Sequence, residues 1–402
     1  MFFAYIMGMV TFMKKKIRFF ILVVLWNLAA SYAHPVTPTF FKQLHLSDAM
    51  FGYAFAAMAF GMFLSSPFWG QMTRVINSKS ALAIGGIGYG LCQLLFSLSH
   101  SSWLILIARL LAGLSCGAFF VGSLTYIANQ ANESSRGSLL TLNATLQTIS
   151  DALGYFIGGM VGELGVQLSF RAQIMQLIIT GILFYLLLDR DVETSATFKE
   201  VAKASNPFKA FLSAKEFMSV SFAILFGMTT CVFLGYTCLD QSFNYYLKDV
   251  FAFTSKYNGT FKGIVGLVTL ILNMSVGLYL LKHTNIRRAN MALLALAELS
   301  VISLLFVNNA LALMTMVIVF DGLYALCVPI EQNLITNRSE PKTRNLVLGF
   351  YQSTKSLGMI LGALFAGMLY PLYKKGPFLL SMLAVLGALI LSIVYTRRRK
   401  YE

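Results

Sequence analysis

Four ionisable side chains lie deep inside long apolar stretches of this chain: Arg109, Asp151, Asp321 and Lys355. An ionised side chain at the centre of a bilayer costs at least ~2.5–3.5 kcal/mol, so such residues mark paths for protons or charged solutes. An acid beside a base stays ionised, and separating the two lets the acid take up a proton. Two such pairs, moved apart and together, form a charge relay. The same four residues also read as two fixed salt bridges tying helices together. A cavity lined by both signs could instead bind a zwitterionic or anionic solute, with Lys355 and Arg109 as its ligands.

The elements that must position these groups follow from composition. The 402 residues are 57% hydrophobic and 12% charged, with a mean hydropathy of +0.71. Soluble domains carry about 25% charged residues, so part of the solvent here is lipid. One crossing takes roughly 20 apolar residues, and the sequence offers spans near 17–41, 51–72, 81–99, 102–128, 139–163, 169–188, 218–243, 257–281, 289–307, 310–333, 345–370 and 377–396. Backbone groups in lipid must be satisfied within the segment, which makes these spans helices. The expected fold class is an all-α polytopic membrane protein with twelve transmembrane helices in two pseudo-symmetric six-helix bundles. At 1.5 Å rise per residue, Arg109 and Asp151 both fall roughly 10–12 Å below the outer surface, and Asp321 and Lys355 both fall near the midplane. Matching depth predicts the pairs Arg109–Asp151 and Asp321–Lys355.

A repeat supports the two bundles. Arg136, Gly154, Gly159 and Met160 recur as Arg344, Gly362, Gly367 and Met368, each 208 positions on. The repeat aligns the fourth and fifth spans with the tenth and eleventh. Gln147 then stands opposite Lys355, Met359 opposite Asp151, and Val317 opposite Arg109. In transporters, substrate sits at such a repeat interface. The expected organisation is a cytoplasmic N-terminus (1–16), a first bundle (17–188), a polar cytoplasmic linker (189–216), a second bundle (217–396) and a basic tail (397–402). Met13 followed by Lys14, Lys15 and Lys16 resembles a bacterial start, so residues 1–12 read as upstream sequence.

The net charge of +15 is a topology signal. Of 31 Lys and Arg, about 22 fall on the side that holds both termini and about 6 on the other, which places both termini in the cytoplasm of a bacterial inner membrane. A basic stripe for nucleic acid is absent from the sequence. The five cysteines (Cys92, Cys116, Cys231, Cys238, Cys327) lie in apolar spans with no zinc-type spacing, and such cysteines pack. No metal site, cofactor or enzymatic motif is expected, and no phosphate-binding loop supports an ATP-driven pump.

With these residues in hand, the chain resembles the major facilitator superfamily over essentially its whole length, and its twelve-helix drug:proton antiporter branch in particular. Pro35-x-x-Pro38 is similar to that branch's first-helix proline pair. Gly70, Arg74, Asn77 and Lys79 resemble the cytoplasmic signature loop, Arg109-x-x-x-Gly113 the fourth-helix arginine motif, and Gly154 to Gly159 the antiporter motif of the fifth helix. The resemblance implies proton handling by Arg109. Arg74 stands where the signature loop has an acid, and Tyr155 where the antiporter motif has proline.

Further candidates fill out the site. His34 could titrate near neutral pH or simply sit at the outer interface. Asp240, beside Gln241, Asn244 and Tyr245, lines an outer vestibule or caps its helix. Lys262, Glu298 and Glu331 also lie in spans, nearer an end or on less informative helices. Phe119, Phe120, Tyr155, Tyr236, Tyr351 and Gln147 lie on cavity-type helices, where the aromatic rings could stack on a solute. Gly113, Gly154, Gly158, Gly159, Gly362 and Gly367 let helices approach closely. The expected function is proton-coupled secondary transport of a small molecule by a monomer in the bilayer, exporting amphipathic compounds. Import of a sugar, amino acid or organic ion fits the mixed charge equally well, and a non-transporting receptor is the third reading.

Overall fold

The computed structural model describes residues 2–130, 133–191, 197–204, 206, 208, 213–339 and 344–398. Among them every regular element is a helix. These are α1 (Phe2–Ser31), α2 (Thr37–Gln43), α3 (Met50–Ile76), α4 (Ser78–Leu98), α5 (Ser102–Gln130), α6 (Glu133–Leu164), α7 (Val166–Leu187) and α8 (Phe198–Ala204). After a short 3-10 turn come α9 (Val220–Phe251), α10 (Ser255–Leu272), α11 (Leu278–His283), α12 (Ile286–Phe306), α13 (Ala310–Arg338), α14 (Arg344–Leu369) and α15 (Gly376–Arg398). A π turn, Asn273–Gly277, joins α10 to α11.

Nine helices among the described residues are long and apolar enough to cross a membrane. The spans expected at 139–163 and 345–370 appear as α6 and α14, 32 and 26 residues long. The span expected at 17–41 is broken: α1 stops at Ser31, turns occupy 32–36, and α2 resumes at Thr37. Pro35 and Pro38 explain the break, because each lacks the N–H that would continue the helix.

The chain forms two compact units. The first comprises Met1–Val36 with Gly61–Pro207, and the second Thr37–Phe60 with Phe208–Glu402. The boundary after Pro207 falls in the polar stretch read as a linker. Residues 37–60, expected with the first bundle, instead pack with the second, and α3 passes from one unit into the other at Phe60–Gly61.

In the first unit α4 packs along α5 and α7, and α1 packs along α6 and α7. In the second, α12 packs along α13 and α15, and α9 packs along α14 and α15. The sequence repeat is therefore a packing repeat. Its glycines show why. A Cβ on Gly154 of α6 would strike the backbone carbonyl of Leu28 on α1, and a Cβ on Gly362 of α14 would lie 2.5 Å from the carbonyl of Leu234 on α9. One bare backbone fits against the first helix of its half, twice.

Polar groups lock the first unit internally. Gln173 and Gln176 of α7 donate to the backbone carbonyls of Ala30 and Leu25, both at 2.8 Å, and Tyr32 donates to Gln176 at 2.9 Å. In the second unit, residues 37–60 are held by a charged network. Lys42 pairs with Asp249 and, at 3.1 Å, with Asp48. Lys374 reaches Asp249 at 2.8 Å. Tyr245 donates to Asp48 at 2.6 Å and Tyr370 to Asp249 at 3.0 Å. Phe51 stacks on Tyr245, and Gly52 lies against the backbone of Ala363 and Gly367.

Candidate functional site

The second unit holds a buried cluster of three charges on three helices. Lys262 of α10 forms an ion pair with Asp240 of α9, and its Nζ lies 3.8 Å from Oδ2 of Asp321 on α13. Side-chain exposure is 9% for Lys262, 13% for Asp240 and 3% for Asp321. Gln241 donates to the other oxygen of Asp240 at 2.9 Å. Oδ2 of Asp321 has no hydrogen-bond partner among the described residues. One ammonium thus serves two carboxylates and sits far closer to the first.

Packing explains the placement. Gly322, next to Asp321, presents its bare backbone to Leu272, and the π turn sets Gly277 against Leu326. These contacts bring α10 onto α13 and aim Lys262 at Asp321. π turns inside α-helices occur frequently at functional sites. One wall of the cluster is aromatic: Tyr236 stacks on Tyr324 at 3.7 Å and 5°, with Phe320 beyond it at 6.5 Å.

The expected pair Asp321–Lys355 is therefore corrected: the base beside Asp321 is Lys262. Lys355 is half-buried and sits over the Phe233 ring of α9 at 4.9 Å. The reason is packing: α14 packs along α9, whereas Asp321 faces α10. The other expected pair also separates. Arg109 is buried, bonds Oε1 of Gln93 at 3.2 Å and covers the Phe96 ring at 3.8 Å, both on α4. Asp151 accepts from Ser31 of α1 at 3.0 Å. α5 packs along α4 and α6 along α1, so equal depth does not make Arg109 and Asp151 neighbours.

The remaining candidates are distributed as follows. His34 stacks on Tyr155 at 5.2 Å, one turn from Asp151. Phe119, expected to face a cavity, is fully buried and stacks on Trp26 at 3.5 Å, so it is core. Phe120 meets the same Trp26 edge-on. Gln147 is half-buried, Tyr351 is buried, and Gly158 and Gly159 are buried, with Gly158 against the Tyr32 backbone. Gly113 and Gly61 meet backbone to backbone, and Gly367 lies against Ala49. In the signature loop Gly70 is exposed, and Asn77, at φ 63°, caps α4 by accepting from the Ser80 N–H. Lys79 donates to the carbonyls of Tyr185 and Leu188. The side chains of Arg74, Arg136 and Arg344 lie outside the described residues.

Sequence reasoning placed Lys262 in a span but gave it no role in the site. The signal was available: about 10 Å into α10 from the turn at 252–254, against about 16 Å into α9 for Asp240, it lies within a side chain's length of that acid. The Lys42–Asp249–Lys374 network had no comparable signal, since its members come from three distant segments.

The sequence model of the Major Facilitator Superfamily matches residues 19–325 and 287–402. The chain belongs to the major facilitator superfamily. It is an integral membrane transporter and not an enzyme. Among curated relatives, Multidrug resistance protein 2 of Bacillus subtilis (strain 168) is 23% identical over 372 residues, covering 91% of each chain. Quinolone resistance protein NorA of Staphylococcus aureus (strain COL) is 22% identical, over 91% of this chain and 92% of its own. Among solved structures, the nucleoside transporter NupG superposes with a TM-score of 0.74 at 13% identity, over 96% of this chain and 99% of its own. A D-xylose-proton symporter gives 0.71 at 14%, over 94% and 97%. At these identities the structural likeness shows the fold of the superfamily.

Proposed function

We propose that this transporter couples inward proton movement to export of amphipathic small molecules, and that Asp240, Lys262 and Asp321 carry the coupling. The supporting observation is the unequal sharing of one buried lysine between two buried aspartates. A small shift of α10 against α9 and α13 moves the ammonium from one acid toward the other. The acid left without a counter-ion, in surroundings that penalise bare charge, takes up a proton. When the lysine returns, the proton is released. The stacked Tyr236 and Tyr324 offer an aromatic face beside this switch, where a planar or cationic solute can lie.

The relatives named for multidrug and quinolone resistance support export as the direction. The distribution of Lys and Arg supports an inner-membrane protein with both termini in the cytoplasm. The test is flux in proteoliposomes, with ethidium and a fluoroquinolone as probes. Both probes should accumulate in acid-loaded vesicles and stop accumulating when the gradient is collapsed. Accumulation that ignores the gradient overturns the coupling.

A further inference from the structure

Ten residues beyond Asp321 on the same helix lies a second buried carboxyl. Glu331 of α13 is 0% exposed. Thr229 of α9 donates to its Oε2 at 3.3 Å, whereas Oε1 is buried with no hydrogen-bond partner among the described residues. Across from it on α14, the hydroxyl of Tyr351, a residue 3% exposed, is likewise buried and unpartnered. Two orphaned polar groups from different helices, in one apolar core, are unusual: buried polar atoms are satisfied in about nine cases of ten.

Between the two carboxyl sites stands Tyr324. At ~100° per residue, Asp321, Tyr324 and Glu331 share one face of α13, within about 80° of arc. The Tyr324 ring is clamped by Tyr236 and by the edge of Phe233 at 5.6 Å. Tyr351, Glu331, Asp240 and Asp321 all lie within electrostatic range of its hydroxyl. The other titratable groups around Glu331 are Cys231 of α9 and Cys327 of α13, and Lys355 of α14 stands over Phe233. Pro329, two residues before Glu331, lacks an N–H, so the Ala325 carbonyl loses its helical donor and becomes a further acceptor on this stretch.

We propose that Glu331 is a second proton-binding carboxyl, and that the hydroxyls of Tyr324 and Tyr351 pass protons between it and the Asp240–Lys262–Asp321 cluster. The inference rests on the proton-coupled reading and extends it toward the Arg338 end of α13, about 15 Å along the helix from Asp321. The step is balanced. The Glu331 acid loses a proton and becomes a carboxylate. Each tyrosine accepts one proton and gives up another, ending unchanged. Asp321 or Asp240 gains the proton and becomes neutral. No electron moves.

The probe is the proton itself. Purified protein in detergent is subjected to an alkaline pH jump and followed by time-resolved infrared spectroscopy of the protonated-carboxyl stretch. The wild type should show a component that is absent in Glu331→Gln and retained, at a shifted position, in Glu331→Asp. In Tyr324→Phe, which keeps the ring stack, that component should decay roughly tenfold or more slowly. A Glu331→Gln spectrum identical to wild type, or wild-type decay in Tyr324→Phe, overturns the relay. Failure of the coupling reading looks different: the Glu331 component titrates as described, yet an imposed gradient drives no ethidium flux in the wild type.

Discussion

Asp321 faces Lys262, at 3.8 Å, across the α10–α13 contact. The Lys262 ammonium is simultaneously paired with Asp240 of α9. Removing the lysine therefore strands two buried carboxylates at once. Breaking a buried pair by deleting one partner costs about 3–5 kcal/mol. We expect Lys262→Met to lower the unfolding midpoint sharply in a thermal-shift assay. Lys262→Met combined with Asp240→Asn and Asp321→Asn should recover most of that loss while remaining inactive in gradient-driven flux. Recovery of both stability and flux would make the cluster structural only.

The contrast between the two charge predictions shows what the sequence reveals. Helical rise sets how far along its helix each of Asp321, Lys355, Arg109 and Asp151 lies. Depth leaves open the direction in which a side chain points around its helix. That direction depends on which neighbour each helix packs against, and Gly322, Leu272 and the π turn decide it for Asp321. The glycine repeat was legible because it is a backbone constraint: nothing larger fits at Gly154 or Gly362. The packing of residues 37–60 into the second unit was not, because it depends on partners some 200 and 320 residues away, Asp249 and Lys374.

Gly362 should therefore be intolerant of even a methyl group. Its Cβ would sit 2.5 Å from the Leu234 carbonyl, whereas a Cβ at Gly387 of α15 would meet Cys231 Sγ at an ordinary 3.7 Å. Gly362→Ala forces α14 off α9 at a cost of about 1–3 kcal/mol. Gly387→Ala should be neutral or gain up to about 1 kcal/mol from helix propensity. Thermal unfolding of the two variants side by side checks this, and equal midpoints would contradict it.

The network around Lys42 should persist across neutral and mildly alkaline pH. Burial alone lowers the affinity of Lys42 for its proton, but Asp249 and Asp48 outweigh it and raise that affinity above the ordinary lysine value. A raised folded value means the contribution is complete below the unfolded lysine value and is lost only as pH climbs through the folded one. Hydrogen–deuterium exchange of residues 44–52, corrected for intrinsic rate, should hold steady from about pH 7 to 9. It should rise in Asp249→Asn at every pH. Protection lost near neutrality in the wild type would rule the network out as the tether of this segment.

The most direct test of the central claim is ethidium movement in proteoliposomes carrying the wild type or the Asp240→Asn/Asp321→Asn double variant. Two modes are compared: accumulation driven by an imposed pH gradient, and exchange of labelled for unlabelled ethidium with no gradient. The variant should lose gradient-driven accumulation while retaining exchange, because the path for the solute survives and the proton switch does not. Gradient-driven accumulation by the variant at the wild-type rate would show that the Lys262 cluster does not couple protons to transport.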